Sequence, residues 1–291
     1  MEFRSPSAIR SESLGPGGRV VVGFDGSESA RAAVVWAASE AALRDAVLRI
    51  IVCSAEPESI DVSHGGAHRR RSLTDSAESV KAVHPALKVE VIATHPDPRD
   101  ALTMDLTNSD LLVVSAATSG MARTWLLGSV PRSASRRSPC PVVVVRGEPR
   151  PQIRRIMVGI DNSNAAMAAA DWACREADLH GAKMLLVHAW FDTGIDGSAR
   201  ERHLDRVDVQ CALDLAVSRC RRRSSTHVEG ELVEGDPTQI LIDGSASVDL
   251  LAIGSRGRSG FKTLLFGTVA LDVAERAHCP VTIAHPQAMS S

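Results

Sequence analysis

Hydrophobic and polar positions follow two rhythms along this chain, and the rhythms take turns. Short runs such as Val142-Val-Val-Val145, Leu185-Leu-Val187 and Leu250-Leu-Ala-Ile253 are apolar at every position, as expected of strands covered on both faces of a sheet. Longer Ala-rich stretches lie between them. In Ala165–His180, Trp172, Ala173, Glu176 and Leu179 fall at helical spacing, so one face of a helix is apolar. In the second half of the chain the pattern predicts strands over 155–160, 184–189, 227–233, 250–253 and 281–284. It predicts helices over 165–180, 199–222 and 268–277, and a further helix opening at Asp236-Pro237 with Pro in its first turn. Alternating strands and helices of this kind give a parallel sheet with helices on both faces, a doubly wound α/β fold.

The same order of elements occurs twice. Val20-Val-Val-Gly23-Phe-Asp25-Gly-Ser27 reappears as Ile156-Met-Val-Gly159-Ile-Asp161-Asn-Ser163, and Trp36 as Trp172, at an offset of 136 residues. Asp110-Leu-Leu-Val-Val reappears as Asp249-Leu-Leu-Ala-Ile, and Cys140-Pro-Val as Cys279-Pro-Val, at an offset of 139. Two copies of one domain account for this. The expected boundaries are 19–147 and 153–286, with 148–152 as a linker whose prolines continue neither a helix nor a central strand. Residues 1–18 are polar and lack the apolar core of a secretory signal. They are expected to be a disordered leader, and the protein to be cytoplasmic.

Composition narrows the function classes. A net charge of −2 argues against a general nucleic-acid binder, and Arg69-Arg70-Arg71 and Arg221-Arg222-Arg223 read as solvated helix ends. Tyr is absent and aromatics make up 3%, so the cores must be aliphatic and base-stacking platforms are disfavoured. The six cysteines form no Cys-x-x-Cys pair and no zinc-type spacing with His; they read as buried free thiols. No apolar run approaches the ~20 residues that span a bilayer.

The candidate chemistry lies near the end of the chain. Gly254-Ser-Arg-Gly257, nine residues and then Gly267-Thr268 connect a strand exit to a helix start. Glycines there allow positive φ and close approach of a ligand to the main chain, and a helix amino terminus offers unpaired N–H groups to an anion. Parallel sheets bind ligands beyond the carboxyl ends of their strands, where the strand order reverses. Asp161 at the first strand's end faces that crevice, a carboxylate suited to ribose hydroxyls, and Arg256, Arg258 and Lys262 could add countercharge. Plainer roles stand beside these. Asp25 and Asp161 suit turns after a strand, and Thr268 suits an N-cap. His188 suits a structural hydrogen bond, and Trp36 and Trp172 suit packing.

With Gly159-Ile-Asp161, Gly254-x-x-Gly257-x9-Gly267-Thr268, Glu234-Gly-Asp-Pro237 and His278-Cys-Pro-Val281 in place, the chain resembles the universal stress protein family in its tandem form. The resemblance implies two Rossmann-like, adenine nucleotide α-hydrolase-like domains, each a five-stranded parallel sheet of order 3-2-1-4-5. It implies ATP, with Mg2+ as its companion ion, as ligand of the second domain. Asp161 would meet the ribose and the backbone at Ala189 the adenine. Gly254, Gly257, Gly267 and Thr268 would wrap the phosphates, with Val269 following. It also implies pairing of the two domains through their last strands, with a homodimer and a regulatory protein partner as further associations.

The first copy departs from this pattern. Asp25, Gly128 and Ser129 remain, but Ser115 and Thr118 replace the loop glycines, Pro96 replaces Gly235, and Cys53 stands at the position of Ala189. If the loop needs positive φ, each non-Gly residue costs about 1–2 kcal/mol. The first domain is therefore expected to bind nucleotide weakly or not at all. No general base or paired carboxylates accompany the loop, so binding is expected over turnover, with slow ATP hydrolysis as the most the residues would support. The competing readings are an adenine nucleotide hydrolase or adenylate-transfer enzyme, whose motifs are absent, and a nucleotide-free interaction scaffold.

Overall fold

The computed structural model describes residues 3–4, 18–53, 66–94, 97–108, 110–116, 129–147, 150, 152–190, 199–256 and 267–286. The chain divides into two compact units, Met1–Pro149 and Arg150–Ser291.

The second unit runs β7 (Arg155–Gly159), α5 (Asn164–His180), β8 (Lys183–Trp190), α6 (Ala199–Arg223), β9 (Val228–Glu234), α7 (Pro237–Ser245), β10 (Leu250–Gly254), α8 (Thr268–Arg276) and β11 (Val281–Ala284). Its strands pair in the order β9-β8-β7-β10-β11, and every pairing is parallel. This is the order 3-2-1-4-5, with the switch point between β7 and β10. Helices α5 and α6 pack together, and so do α7 and α8. The chain therefore leaves β7 and β10 toward opposite faces, which opens the space beyond their carboxyl ends.

The first unit repeats the plan with β2 (Arg19–Phe24), α1 (Glu28–Leu43), β3 (Val47–Cys53), α2 (Gly66–Val83), β4 (Val89–Thr94), α3 (Pro98–Ala101), β5 (Leu111–Ser115), α4 (Ser129–Arg137) and β6 (Val142–Val145). These strands pair in the order β4-β3-β2-β5-β6, all parallel. The stretch expected to be a disordered leader also supplies β1 (Phe3–Arg4), which pairs in parallel with Val91 and Ile92. Strand β4 is otherwise the edge of the sheet, and an open edge offers backbone groups to any passing extended segment.

Local chemistry explains the element boundaries. Ser163 caps α5 by accepting the Ala166 N–H at 3.1 Å, Ser27 caps α1 by accepting that of Ala30 at 3.1 Å, and Asp236 caps α7 by accepting that of Gln239 at 2.9 Å. Gly181 ends α5 at φ 64°, a left-handed cap. The core is aliphatic: Leu186, Leu250, Leu251, Ile156 and Ile283 are fully buried, and Trp36 and Trp172 are buried at matched positions.

At the opposite end of each sheet, an aspartate clamps the start of the first strand. Asp249 accepts the N–H groups of Arg154 (2.8 Å) and Arg155 (3.0 Å) and a bond from Arg150 Nη1 (2.7 Å). Asp110 accepts the N–H of Arg19 (3.0 Å) and two bonds from its guanidinium, at 3.1 and 2.7 Å. The basic end of α6 is exposed at Arg221, Arg222 and Arg223, as the solvated reading expects, and its arginines also reach other elements. Arg219 bonds Asp171 on α5 (3.1 and 2.5 Å), and Arg221 donates twice to the Val228 carbonyl of β9 (3.0 and 2.8 Å). The guanidinium forks find acceptors that close packing of α6 brings within reach. The side chains of Arg69, Arg70 and Arg71 lie outside the described residues.

Candidate functional site

The site is built where β7 and β10 end. Ile160 extends the ladder one residue past β7, its N–H donating to the Val187 carbonyl at 2.8 Å. Asp161 follows, half-buried, and its Oδ1 accepts the Ser163 N–H at 3.0 Å. Asn162 between them sits at φ 62°, a left-handed conformation that Asn tolerates. The first unit makes the same turn: Asp25 Oδ1 accepts the Ser27 N–H at 2.9 Å, with Gly26 at φ 88°. Both aspartates thus serve the turn after the first strand.

On the other lip, Gly254 does not adopt positive φ, contrary to the expectation for this loop. Its missing side chain serves packing instead. A Cβ there would lie 2.5 Å from the Ala165 carbonyl carbon and 2.6 Å from the Ala166 nitrogen, so glycine admits the first turn of α5 against the end of β10. Ser115 carries a Cβ at the matching end of β5, so α1 cannot approach its strand as closely. Positive φ occurs instead at Gly235, between β9 and α7, at 141°. Pro96, its counterpart, lies outside the described residues.

Three elements are fastened together around Ser255 and Arg256. The Ser255 N–H donates to the Ala284 carbonyl at 2.9 Å, and the Ser255 carbonyl accepts the Gly267 N–H at 3.2 Å. The Arg256 carbonyl accepts the Ser163 hydroxyl at 3.1 Å. The mouth of β7, the exit of β10 and the start of α8 therefore converge on one short piece of backbone. Ser163 and Ser255 were not among the candidates from sequence. For Ser163 a signal existed, since Ser27 and Ser163 occupy matched places two residues after Asp25 and Asp161.

Gly267 is the N-cap of α8, in extended backbone at φ −69°, ψ 141°, and no side chain caps the helix. Thr268 occupies the first helical position, exposed, so the capping role considered for it belongs to Gly267. Val269 is half-buried behind it. Among the described helices α1, α5, α7 and α8, the first three have a serine or aspartate acceptor on their leading N–H groups and α8 has none. Ala189 lies on β8 opposite Val233, half-buried. Beside it, Trp190 carries the Arg206 guanidinium over its ring, 5.7 Å from the centroid, a cation–π contact.

Gly257, Arg258, Lys262, Thr118 and Gly128 lie outside the described residues. Ser129 opens α4 and Cys53 ends β3, but their side chains lie outside them as well. His188 is buried on β8, 6% exposed. Burial pushes the Cys140 thiol up to about 11, despite the Ser138 hydrogen bond, and pushes that of Cys279 up to about 12. Both thiols stay protonated at neutral pH, as structural cysteines do.

Fold and loop geometry together define a tandem, doubly wound α/β protein whose second unit gathers a carboxylate, a pinned loop and an uncapped helix start at its switch point. Residues 18–146 and 152–285 both match the universal stress protein family. A universal stress protein of Mycobacterium tuberculosis (strain ATCC 25618 / H37Rv) is 30% identical over 290 residues, covering 91% of this chain and 96% of the relative. Another from the same strain is 29% identical over 291 residues, covering 91% and 95%. Among solved structures, a universal stress protein from Archaeoglobus fulgidus DSM 4304 superposes with a TM-score of 0.64 at 16% identity, covering 93% of this chain and 99% of that one. The chain belongs to the universal stress protein family, in tandem form. No helix among the described residues is long and apolar enough to cross a membrane.

Proposed function

We propose that the second unit binds ATP and that occupancy regulates the protein's associations. The observation that carries this reading is the amino terminus of α8. It lacks a side-chain cap, and its Gly267 is tied to the backbone of Ser255. Leading N–H groups without a capping acceptor and the positive end of the helix dipole suit a polyphosphate. Asp161, on the opposing lip, is tied to the same loop through the bond from Ser163 to Arg256. In this reading the Asp161 carboxylate, which also accepts the Ser163 N–H of the turn, meets the ribose. Ala189, Gly254, Gly257, Thr268 and Val269 line the remaining path in this reading. Mg2+ would be held through the phosphates, with water completing its shell.

Binding is favoured over turnover because the described residues at this site supply a turn aspartate and backbone donors, with no positioned general base among them. The first unit keeps Asp25 but carries Ser115, so its site is the weaker one. The test is calorimetry of the full chain with Mg2+-ATP. One site per chain is expected, with affinity falling roughly ten- to a hundredfold in Asp161→Ala, the loss of a charged hydrogen bond. Asp25→Ala should leave the titration unchanged. No heat and no protection at saturating ATP would favour a nucleotide-free scaffold. Pyrophosphate release with an acceptor would favour an adenylate-transfer enzyme.

A further inference from the structure

Helices α5 and α6 meet along a single stripe. Asp171, Cys174 and Asp178 are three and four residues apart on α5 and so share one face. Asp171 bonds Arg219 at 3.1 and 2.5 Å and pairs with Arg223 at 3.3 Å. Asp178 accepts the hydroxyls of Ser224 (3.0 Å) and Ser225 (2.9 Å) and the Ser225 N–H (2.9 Å). Cys174 stands between these two sets of contacts on α5, and Cys220 stands between Arg219 and Ser224 on α6. The two thiols face each other across the helix pair, near enough for each to perturb the other. Both are buried, 2% and 0% exposed.

Packing does not require sulfur there. The counterpart of Cys174 in the first unit is Ala38, 136 residues earlier. The counterpart of Cys220 is Val80: its carbonyl accepts the His84 N–H at 2.8 Å just as the Cys220 carbonyl accepts that of Ser224 at 2.9 Å. Ala38 and Val80 are both buried. The chain thus supplies aliphatic residues at these places in one copy and two facing thiols in the other.

We propose that Cys174 and Cys220 are an oxidative modification site, closing to an intramolecular disulfide when the protein meets a peroxide. Interaction with the Cys174 thiol holds the Cys220 thiol below its ordinary value against the effect of burial, and Arg219 and Arg223 act in the same direction. Cys220 lies in the last turn of α6, next to the exposed Arg221, whereas Cys174 is in the middle of α5. Cys220 therefore meets the peroxide first and is the first nucleophile. Its thiolate attacks one peroxide oxygen, the O–O bond breaks, and hydroxide leaves, taking up a proton to become water. Cys220 is now a sulfenic acid, oxidised by the peroxide. Cys174 then attacks that sulfur, the S–O bond breaks, and a second water leaves as the S–S bond forms. Access comes through the last turn of α6, where Arg221, Arg222 and Arg223 are exposed, by local opening of that turn.

The experiment treats the reduced full chain with hydrogen peroxide, alkylates the remaining thiols and maps the peptides by mass spectrometry. A single cross-linked pair, Cys174 with Cys220, is expected, two hydrogens lighter than the reduced form and restored by dithiothreitol. The double variant Cys174→Ala with Cys220→Val takes the first unit's own residues and should fold, yet show no such mass loss. Recovery of both cysteines as separate alkylated thiols would overturn the proposal. Disulfides formed only between copies through the exposed Cys211 would overturn it equally.

Discussion

The Ser163 hydroxyl caps α5 through the Ala166 N–H and donates to the Arg256 carbonyl, each at 3.1 Å. One side chain thus starts a helix and fixes the loop that leaves a different strand. Its counterpart Ser27 caps α1 in the same way, but its hydroxyl meets Ser29 at 3.0 Å, on its own turn. The two copies therefore share a helix cap, and among the described residues Ser163 adds a tie between the two lips of the candidate site.

This difference predicts unequal substitutions. Ser27→Ala should cost about 1 kcal/mol, the value of a helix cap. Ser163→Ala should cost roughly 1 kcal/mol more, for the second hydrogen bond, and should also weaken ATP binding by loosening the loop before α8. Urea unfolding and calorimetry on both variants check this. Equal stability losses, with ATP affinity unchanged in Ser163→Ala, would contradict it.

Gly254 yields a second prediction. Alanine there must displace the backbone at Ala165 and Ala166, and overpacking of this kind costs roughly 1–3 kcal/mol. Gly267 is in extended backbone open to any residue, so Gly267→Ser should fold with stability unchanged or raised by a few tenths of a kcal/mol. If Gly267→Ser then lowers ATP affinity, that glycine matters for the ligand and Gly254 for the fold. Thermal unfolding separates the two effects.

How much of this was legible in the sequence follows the range of each interaction. The strands of the second copy were readable to within a residue or two because their apolar runs are unbroken, and β11 falls on 281–284 as the pattern predicts. The strand order came through the resemblance, and the candidate phosphate loop through the spacing of Gly254 and Gly267. What the sequence could not reveal depends on contacts between distant segments. The Gly254 role depends on how close α5 comes to β10, and the tie from Ser163 to Arg256 joins residues 93 apart in sequence. Likewise, the bonds of Arg219 and Arg221 were not readable because their acceptors, Asp171 and Val228, belong to other elements.

Thiol reactivity gives a third prediction. Cys140 and Cys279, pushed up to about 11 and about 12 by burial, hold negligible thiolate at pH 8. Iodoacetamide should label the exposed Cys211 in the native protein and reach Cys140 and Cys279 only after unfolding. Native labelling of Cys279 at a rate matching Cys211 would show that its surroundings open far more often than this burial implies.

Asp249 gives a pH dependence with a definite sign. Burial acts to raise its carboxyl, but the Arg154 N–H, the Arg150 guanidinium and the Arg155 N–H together outweigh it and hold it below the ordinary 3.8. A carboxylate with a depressed folded value stabilises the protein fully above its unfolded value, and that stability is lost as pH falls through the folded one. The window therefore opens near 3.8 and extends downward. Asp249→Asn keeps the shape and one acceptor but removes the charge, and should cost about 1–3 kcal/mol at pH 7. The gap to the native protein should be constant down to about pH 5 and close progressively below pH 4. Urea midpoints of both proteins across that range test it, and a gap that persists unchanged to pH 3 would mean that the charge on Asp249 contributes nothing to holding the start of β7.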